Sequence, residues 1–218
     1  MRELSLEVLQ GIPKNGPTDP IEYYRRPLVG KLFRERINRG LRLLGNRTFD
    51  TALEVGYGAG AVMLSLSSSV KNLHGIDLDA DPRPASELLK SRNIEAALIQ
   101  GSVYELPYSN ASFDLVVSFS TFEHLHDYPK ALREVARVLK PGGFFLLGMP
   151  SVNRMMEAGF LAIGFKGIND HHVTTPKQVA NEFGNAGFAL SAADTLDVPL
   201  RVPLGLRLYH VWLLERKN

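Results

Sequence analysis

The stretch Thr51-Ala52-Leu53-Glu54-Val55-Gly56-Tyr57-Gly58-Ala59-Gly60 guides the interpretation of the whole chain. A short apolar run that contains an acid, Glu54, leads into glycines at alternate positions. Residues 61–66 then have the pattern of the first turns of a helix. A strand, a glycine turn and a helix in succession let the backbone approach a nucleotide-like ligand closely. Because the helix start also offers unpaired N–H groups and a positive dipole end, we predict a ligand-binding turn here.

Apolar segments alternate with helical patterns after this turn. Besides the strand that starts near Thr51, we predict strands near 72–77, 96–100, 113–118 and 144–148, with helices at about 61–69, 85–91 and 127–139 between them. Pro141-Gly142-Gly143 is expected to end the last of these helices. A helix at 176–187 and strands near 188–197 and 206–215 complete the prediction. This alternation indicates βαβ units, so we expect an α/β, doubly wound, mainly parallel seven-stranded sheet.

The amino-terminal part has a different character. Glycines and prolines make residues 1–20 a loop-rich arm, with at most a short helix at 3–10. Residues 21–44 have a helical pattern whose apolar face we expect to dock on the sheet. From Arg25 to Arg47, eight basic residues stand against one acid, which gives this segment +7 and leaves −5 for the rest of the chain. We favour a solvated helix face over a surface for phosphates or anionic lipid.

Length and composition limit the class of protein. The 218 residues, 44% apolar and 22% charged, predict one globular domain, 1–218. We divide it into an N-terminal helical arm (1–47), a ligand-binding core (48–150) and a substrate-side connection with the C-terminal strands (151–218). Cysteine is absent, which excludes disulfides, thiolate metal sites and a cysteine nucleophile. The sequence offers no apolar run near the roughly 20 residues of a membrane span, and we expect a cytoplasmic protein.

Two kinds of ligand compete for the glycine turn. Gly56, Gly58 and Ala61 satisfy the dinucleotide pattern GxGxxA, and Asp77 follows 21 residues after Gly56, so an NAD(P)-dependent oxidoreductase is one possibility. Three features favour another ligand. An acid, Glu54, stands two residues before the first glycine; the third glycine has GxGxG spacing; and the second strand ends in Gly-Ile-Asp-Leu-Asp.

These residues resemble the class I S-adenosylmethionine-dependent methyltransferases, and the resemblance covers about residues 50–150. It implies their Rossmann-like fold and S-adenosyl-L-methionine as the cofactor. In that family the glycine loop contacts the methionine part, the acid that ends the second strand pairs with the ribose, and a loop like Gln100–Pro107 lies on the adenine side. The cofactor-binding residues implied here are Glu54, Gly56, Tyr57, Gly58, Gly60, Asp77, Leu78, Gly101, Ser102, Val103 and Ser118.

Later motifs resemble one branch of the family. Residues 113–118, then Glu123-His124-Leu125, then residues 132–143 match the branch that contains ubiquinone-biosynthesis C-methyltransferases and many small-molecule methylases. The resemblance implies in-line methyl transfer to a small-molecule acceptor, with nucleic acid an unexpected partner. A non-catalytic S-adenosylmethionine-binding module is the remaining alternative. The sequence predicts neither the acceptor nor the oligomeric state.

Residues on the acceptor side are harder to assign. His124 is the predicted catalytic residue, since a histidine at the carboxyl edge of the sheet can remove a proton from a hydroxyl; His126 is a second candidate. Asp170-His171-His172 has the residue types of a metal site, but no third ligand stands at a recognisable spacing, so we predict a helix-entry loop and no metal. Tyr23 and Tyr24 either close over the ligand or pack on the core.

Overall fold

The computed structural model describes residues 3–16, 19–151, 172–197 and 207–217. Its strands are β1 (Phe49–Val55), β2 (Val70–Asp77), β3 (Ala96–Gln100), β4 (Phe113–Phe119), β5 (Leu139–Pro150), β6 (Phe188–Asp197) and β7 (Arg207–Arg216). They form a seven-stranded sheet of order β3-β2-β1-β4-β5-β7-β6. The strands from β1 to β5 pair in parallel, and β7 is antiparallel to both β5 and β6. The predicted doubly wound, mainly parallel α/β fold is confirmed.

Helices cover both faces of the sheet. They are α1 (Ile21–Arg25), α2 (Pro27–Leu43), α3 (Ala61–Leu66), α4 (Pro82–Ser91), α5 (Tyr128–Val138) and α6 (Pro176–Glu182), with a 3₁₀ turn at Phe122–His124. One apolar cluster joins α2, α3 and α4 to the sheet through residues such as Ile37, Leu64 and Leu89. A second cluster joins α5 and α6 to the other face through Leu132 and Val179. No helix among the described residues is long and apolar enough to cross a membrane.

Several helix boundaries differ from the prediction. The helix expected at 21–44 is interrupted at Arg26, whose ψ of 143° is extended, because the following Pro27 disfavours helical geometry in its neighbour. The helix after the glycine turn ends at Leu66, where Ser67 and Ser68 donate their hydroxyls to backbone carbonyls of the last turn. The helix predicted at 176–187 ends at Glu182, and residues 6–11 form turns in place of a short helix.

Pro141-Gly142-Gly143 lies inside β5, and α5 has already ended at Val138. Its effect is an irregularity in the pairing of β4 with β5, where the register shifts between Phe113 and Leu115. A β-carbon at Gly143 would lie 2.8 Å from the Lys140 carbonyl oxygen, so the backbone approaches too closely there for a side chain. The motif shapes the start of a strand, and it does not act as the helix stop that we predicted.

The order of the sheet places a crevice between β1 and β4. From β1 the chain continues to β2 on one side, and from β4 it continues to β5 on the other side. The connecting helices therefore diverge and leave a gap at the carboxyl ends of β1 and β4. Open α/β sheets bind their ligands at such a reversal. Glu54 lies near the end of β1 and Ser118 near the end of β4, both beside this crevice.

Candidate active site

The glycine turn has a backbone that favours glycine at each of its three positions. Gly56, Gly58 and Gly60 have φ values of 81°, 49° and 79°, in the left-handed region. The Gly56 N–H donates to the Ile76 carbonyl at 2.8 Å, which fixes the turn to the end of β2. A β-carbon on Gly56 would overlap Thr121 Oγ1, from the segment after β4. The turn is therefore packed directly against the residues that follow β4.

Glu54 is a buried acid with an unused oxygen. Its side chain is only 3% exposed, and Oε2 has no hydrogen-bond partner among the described residues. Burial, reinforced by the nearby charge of Asp77, raises the pKa of the Glu54 carboxyl well above its usual value. Because burying such a group without a partner costs free energy, Glu54 is suited to receive a donor from a ligand in the crevice.

Asp77 connects the end of β2 to the glycine turn. Its Oδ2 accepts from the Gly58 N–H at 2.9 Å, and its Oδ1 accepts from the N–H groups of Asp79 and Ala80 at 2.9 and 3.0 Å. These bonds orient the carboxylate toward the turn. The next residue, Leu78, leaves an apolar side chain 65% exposed, an unusual surface beside a carboxylate.

The remaining predicted cofactor residues surround the same edge, but several side chains are engaged within the chain. Gly101 donates its N–H to the Asp77 carbonyl at 2.8 Å, and the Ser102 hydroxyl accepts from the Tyr104 N–H. Val103 packs in the α5 side of the core. The hydroxyls of Ser118 and Tyr57 donate to the carbonyls of Val55 and Ala80 at 3.0 and 3.3 Å. We expect Val103, Ser118 and Tyr57 to shape the pocket more than to present polar groups.

The N-terminal arm supplies two residues that the sequence analysis missed. Asn15 is buried and donates Nδ2 to the carbonyls of Gly58 and Asp81 at 2.9 and 2.8 Å, while its Oδ1 accepts from the Asp81 N–H at 3.2 Å. Asp19 accepts from the Asn15 and Ile21 N–H groups and lies 3.8 Å from the position of a β-carbon on Gly58. An asparagine among glycines and prolines was the only signal in the sequence, and it is typical of any loop.

A strained turn follows β4 on the acceptor side. Ser120 has a φ of 56°, rare for a residue with a side chain, and such strain is commonly found at functional sites. Its hydroxyl lies 2.9 Å from the Tyr209 hydroxyl on β7. Glu123 follows three residues after Ser120; it is 1% exposed, and its Oε2 has no hydrogen-bond partner among the described residues. Burial is the main reason that the pKa of Glu123 rises to about 8.

The predicted catalytic residue, His124, lies at this edge. Its side chain is 40% exposed, and its Nε2 is 4.0 Å from Glu123 Oε1. The His172 ring lies 5.1 Å from the His124 ring, so part of the Asp170-His171-His172 motif does approach the site. Asp170 and His171 lie outside the described residues. His126 is exposed and is not part of this group.

Tyr23 and Tyr24 pack on the core side of α1, the second of the two roles considered for them. Both rings lie against Phe33, at centroid distances of 5.8 and 5.7 Å. Arg36 donates Nη2 to the Tyr24 hydroxyl at 3.0 Å, and its guanidinium lies 5.2 Å from the Tyr209 ring. The positive charge of Arg36 also acts to lower the pKa of Glu123, although less strongly than burial raises it.

Comparison with known proteins identifies the family. A family model described as "Methyltransferase domain" matches residues 53–147. The uncharacterized methyltransferase YdaC of Bacillus subtilis is 33% identical over 141 residues, which cover 58% of this chain and 77% of YdaC. The demethylmenaquinone methyltransferase of Staphylococcus aureus is 32% identical over 116 residues, covering 52% of this chain and 47% of that protein, so the match spans only about half of that relative.

Solved structures agree on the fold. The PH0226 protein from Pyrococcus horikoshii superposes with a TM-score of 0.67 at 18% identity, covering 90% of this chain and 99% of that one. The crevice also has groups whose chemistry fits the cofactor of the matched family, namely an unpaired buried oxygen at Glu54, a carboxylate at Asp77 and an exposed apolar side chain at Leu78. The chain belongs to the class I S-adenosylmethionine-dependent methyltransferases, and its cofactor is S-adenosylmethionine.

Proposed function

We propose that the chain transfers the methyl group of S-adenosylmethionine to a small-molecule acceptor, in line, at the crevice where β1 and β4 end. The observation that carries the proposal is the direct packing of the two sides of the crevice. Thr121 lies against Gly56 in the glycine turn. Glu123 and His124 follow two and three residues later, and we place them on the acceptor side. Cofactor and acceptor would therefore be neighbours.

The chemistry asks mainly for alignment. Bound S-adenosylmethionine supplies a methyl group on a positively charged sulfur, already activated for displacement. The chain has to hold the acceptor's nucleophilic atom in line with that methyl group and keep water out. Glu54 and Asp77 would fix the cofactor's ammonium group and ribose through charge-assisted hydrogen bonds. Ser120, Tyr209 and Glu123 would surround the acceptor with groups that are already ordered by their own contacts.

One further observation supports an acceptor of small size. The open cavity of about 470 Å³ beside α6 does not bear on this question, because its lining residues, which include Ser151, Lys177 and Trp212, are outside the group placed around the acceptor. The Staphylococcus aureus relative, named a demethylmenaquinone methyltransferase, acts by that name on a small molecule.

The proposal can be tested without knowing the acceptor. Protein and S-adenosylmethionine labelled in the methyl group are incubated with a cell extract separated into small-molecule, protein and RNA fractions. We expect label to enter the small-molecule fraction, and to do so much more slowly with Asp77→Ala. Label in RNA or protein alone would contradict the acceptor class. Binding of S-adenosylhomocysteine without transfer to any fraction would favour a non-catalytic module.

A further inference from the structure

Three side chains that can bind a metal ion lie close together in the segments that follow the contact of Thr121 with the glycine turn. Glu123, His124 and His172 each present one ligand atom, and these three atoms lie within 4.8 Å of one another. They are two imidazoles and one carboxylate, a set that binds divalent ions from iron to zinc. Sequence spacing does not reveal the group, because His172 is far along the chain from His124 and Glu123 belongs to the Glu123-His124-Leu125 motif.

Hydrogen bonds that do not involve the three ligand side chains hold this group together. The Glu123 carbonyl accepts from the N–H groups of both Val173 and Thr174, at 2.8 and 3.1 Å. The Thr174 hydroxyl donates to the Leu125 carbonyl at 2.6 Å. Three hydrogen bonds thus fasten the residues just after His172 to the turn that carries Glu123 and His124. A site whose ligands sit on mutually anchored segments is preorganised for binding.

The Glu123 carboxyl adds a second, independent observation. It is 1% exposed and its Oε2 lacks a hydrogen-bond partner among the described residues. A buried carboxyl oxygen without a partner is unusual and suits a donor or a cation; the positive charge of Arg36 acts on Glu123, while Arg36 Nη2 donates to the Tyr24 hydroxyl. Because Arg36 already contributes positive charge near Glu123, a bound ion has to be held by coordination more than by simple attraction. This favours metals that prefer imidazole over magnesium and calcium.

We propose that Glu123, His124 and His172 bind one divalent transition-metal ion at the acceptor side of the crevice. Tetrahedral bonds of ~2.1 Å would bring the ligand atoms to about 3.4 Å apart, a rearrangement that side-chain rotation can supply since neither histidine is buried. Three protein ligands leave a coordination position open, as in catalytic metal sites. If the proposed function holds, that position would take an oxygen or nitrogen of the acceptor, and His124 would act as a ligand and not as the base.

The test uses the full chain, without a histidine tag, after treatment with a chelator. Cobalt(II) is titrated in while visible absorption is recorded, and zinc binding is followed by calorimetry. We expect one ion per chain, with affinity at least tenfold weaker in His172→Ala and in Glu123→Gln. His126→Ala is the matched control, because this histidine is near in sequence but outside the group, and it should bind like the parent.

Two results would overturn the metal site. One is a parent protein that binds neither ion at millimolar concentration; the other is equal binding by the parent, His172→Ala and Glu123→Gln, which would mean adventitious sites. Thermal unfolding of each variant shows whether it is folded, and His172→Ala decides the matter if Glu123→Gln is unstable, since His172 is not buried. Binding of S-adenosylhomocysteine by the chelator-treated parent is measured separately. Its loss would contradict the proposed function, whereas its persistence without metal binding would contradict only the metal site.

Discussion

At the scale of single residues, Glu54 is a carboxyl whose burial has an energetic cost. The carboxyl is buried at the end of β1 with Oε2 unpaired, and both burial and the charge of Asp77 favour the protonated form. Each pKa unit of such a shift corresponds to about 1.4 kcal/mol of preference between the two protonation states. An ammonium group placed beside Glu54 would reverse this preference, since it stabilises the carboxylate.

Cofactor binding should therefore release a proton from Glu54. The pKa of this carboxyl is raised in the ligand-free protein and falls when the ammonium group binds, so the bound state holds fewer protons and the affinity rises with pH. We expect this rise on the alkaline side of the ordinary carboxyl pKa of 4.5, because the pKa of the free Glu54 carboxyl lies well above that value. Calorimetry with S-adenosylhomocysteine in buffers of different ionisation enthalpy measures the released proton. A Glu54→Gln variant that releases as many protons as the parent would assign the effect elsewhere.

The glycine turn gives a second residue-level prediction. Asp77→Ala should weaken cofactor binding by about 1.5–3 kcal/mol, the range for hydrogen bonds to a charged group. Gly58→Val should weaken it at least as much, because it adds a branched side chain to a residue with a φ of 49° in the turn. Gly142→Ala is a suitable control, since its φ of 74° imposes comparable backbone strain at a position with open space around it. Parent-like binding by folded Asp77→Ala and Gly58→Val would show that the cofactor binds elsewhere.

At the scale of elements, α5 holds the loop before β4 through Glu134 and Arg137, two residues of the 132–143 motif. Glu134 Oε2 accepts from the Leu106 N–H at 2.9 Å. Arg137 donates to the carbonyls of Leu106 and Tyr108 at 2.8 and 2.7 Å, and it also pairs with Glu134. The helix thus fixes the loop before β4, on the side where the family places adenine. The hydrogen-bonded ion pair with Arg137 is also the main reason that the pKa of Glu134 is lowered.

Arg137→Lys should loosen this loop while it preserves the charge. A lysine ammonium cannot reproduce the fork that reaches two carbonyls and a carboxylate together, so we expect a loss of about 1–3 kcal/mol in unfolding free energy. The measurement is urea denaturation of the variant beside Arg133→Lys, an exposed position on the same helix. Cofactor affinity should also fall in Arg137→Lys. Equal unfolding midpoints for the two variants would mean that the loop does not depend on this contact.

The secondary structure was more accessible from sequence than the site. The approximate positions of all seven strands could be predicted. The central parallel strands β1, β4 and β5 were the clearest, because they are buried apolar runs bounded by glycine, proline or polar residues. Helix ends were less accurate, as at Arg26 and Leu66, since capping depends on one or two side chains. The contacts of Asn15 with Gly58, and of His172 with His124, join residues more than 40 positions apart. Contacts between residues so far apart leave no periodic pattern in the local sequence.

At the scale of the whole molecule, the basic segment serves to join the N-terminal addition to the sheet. Arg39 donates to both carboxylate oxygens of Asp194 on β6, at 3.0 and 3.1 Å, and Arg42 pairs with Glu3 at 2.8 Å. Arg25 donates to the Leu9 carbonyl within the arm. The solvated helix face that we favour agrees with the exposure of Arg25 and Arg42, while the half-buried Arg39 uses its donors on partners in the same chain.

The arm also reaches the glycine turn, and this contact gives the last prediction. Asn15 is buried and bridges the backbone of Gly58 and Asp81, so Asn15→Ala leaves three backbone groups without their partner. Each buried group left unsatisfied costs about 1–3 kcal/mol, although water can recover part of this. We therefore expect faster amide hydrogen exchange at residues 56–60 and 79–81 and weaker binding of S-adenosylhomocysteine, whereas the exposed neighbour Lys14→Ala should behave like the parent. If exchange in Asn15→Ala increased only within residues 3–16, the arm would be a separate unit that does not support the glycine turn.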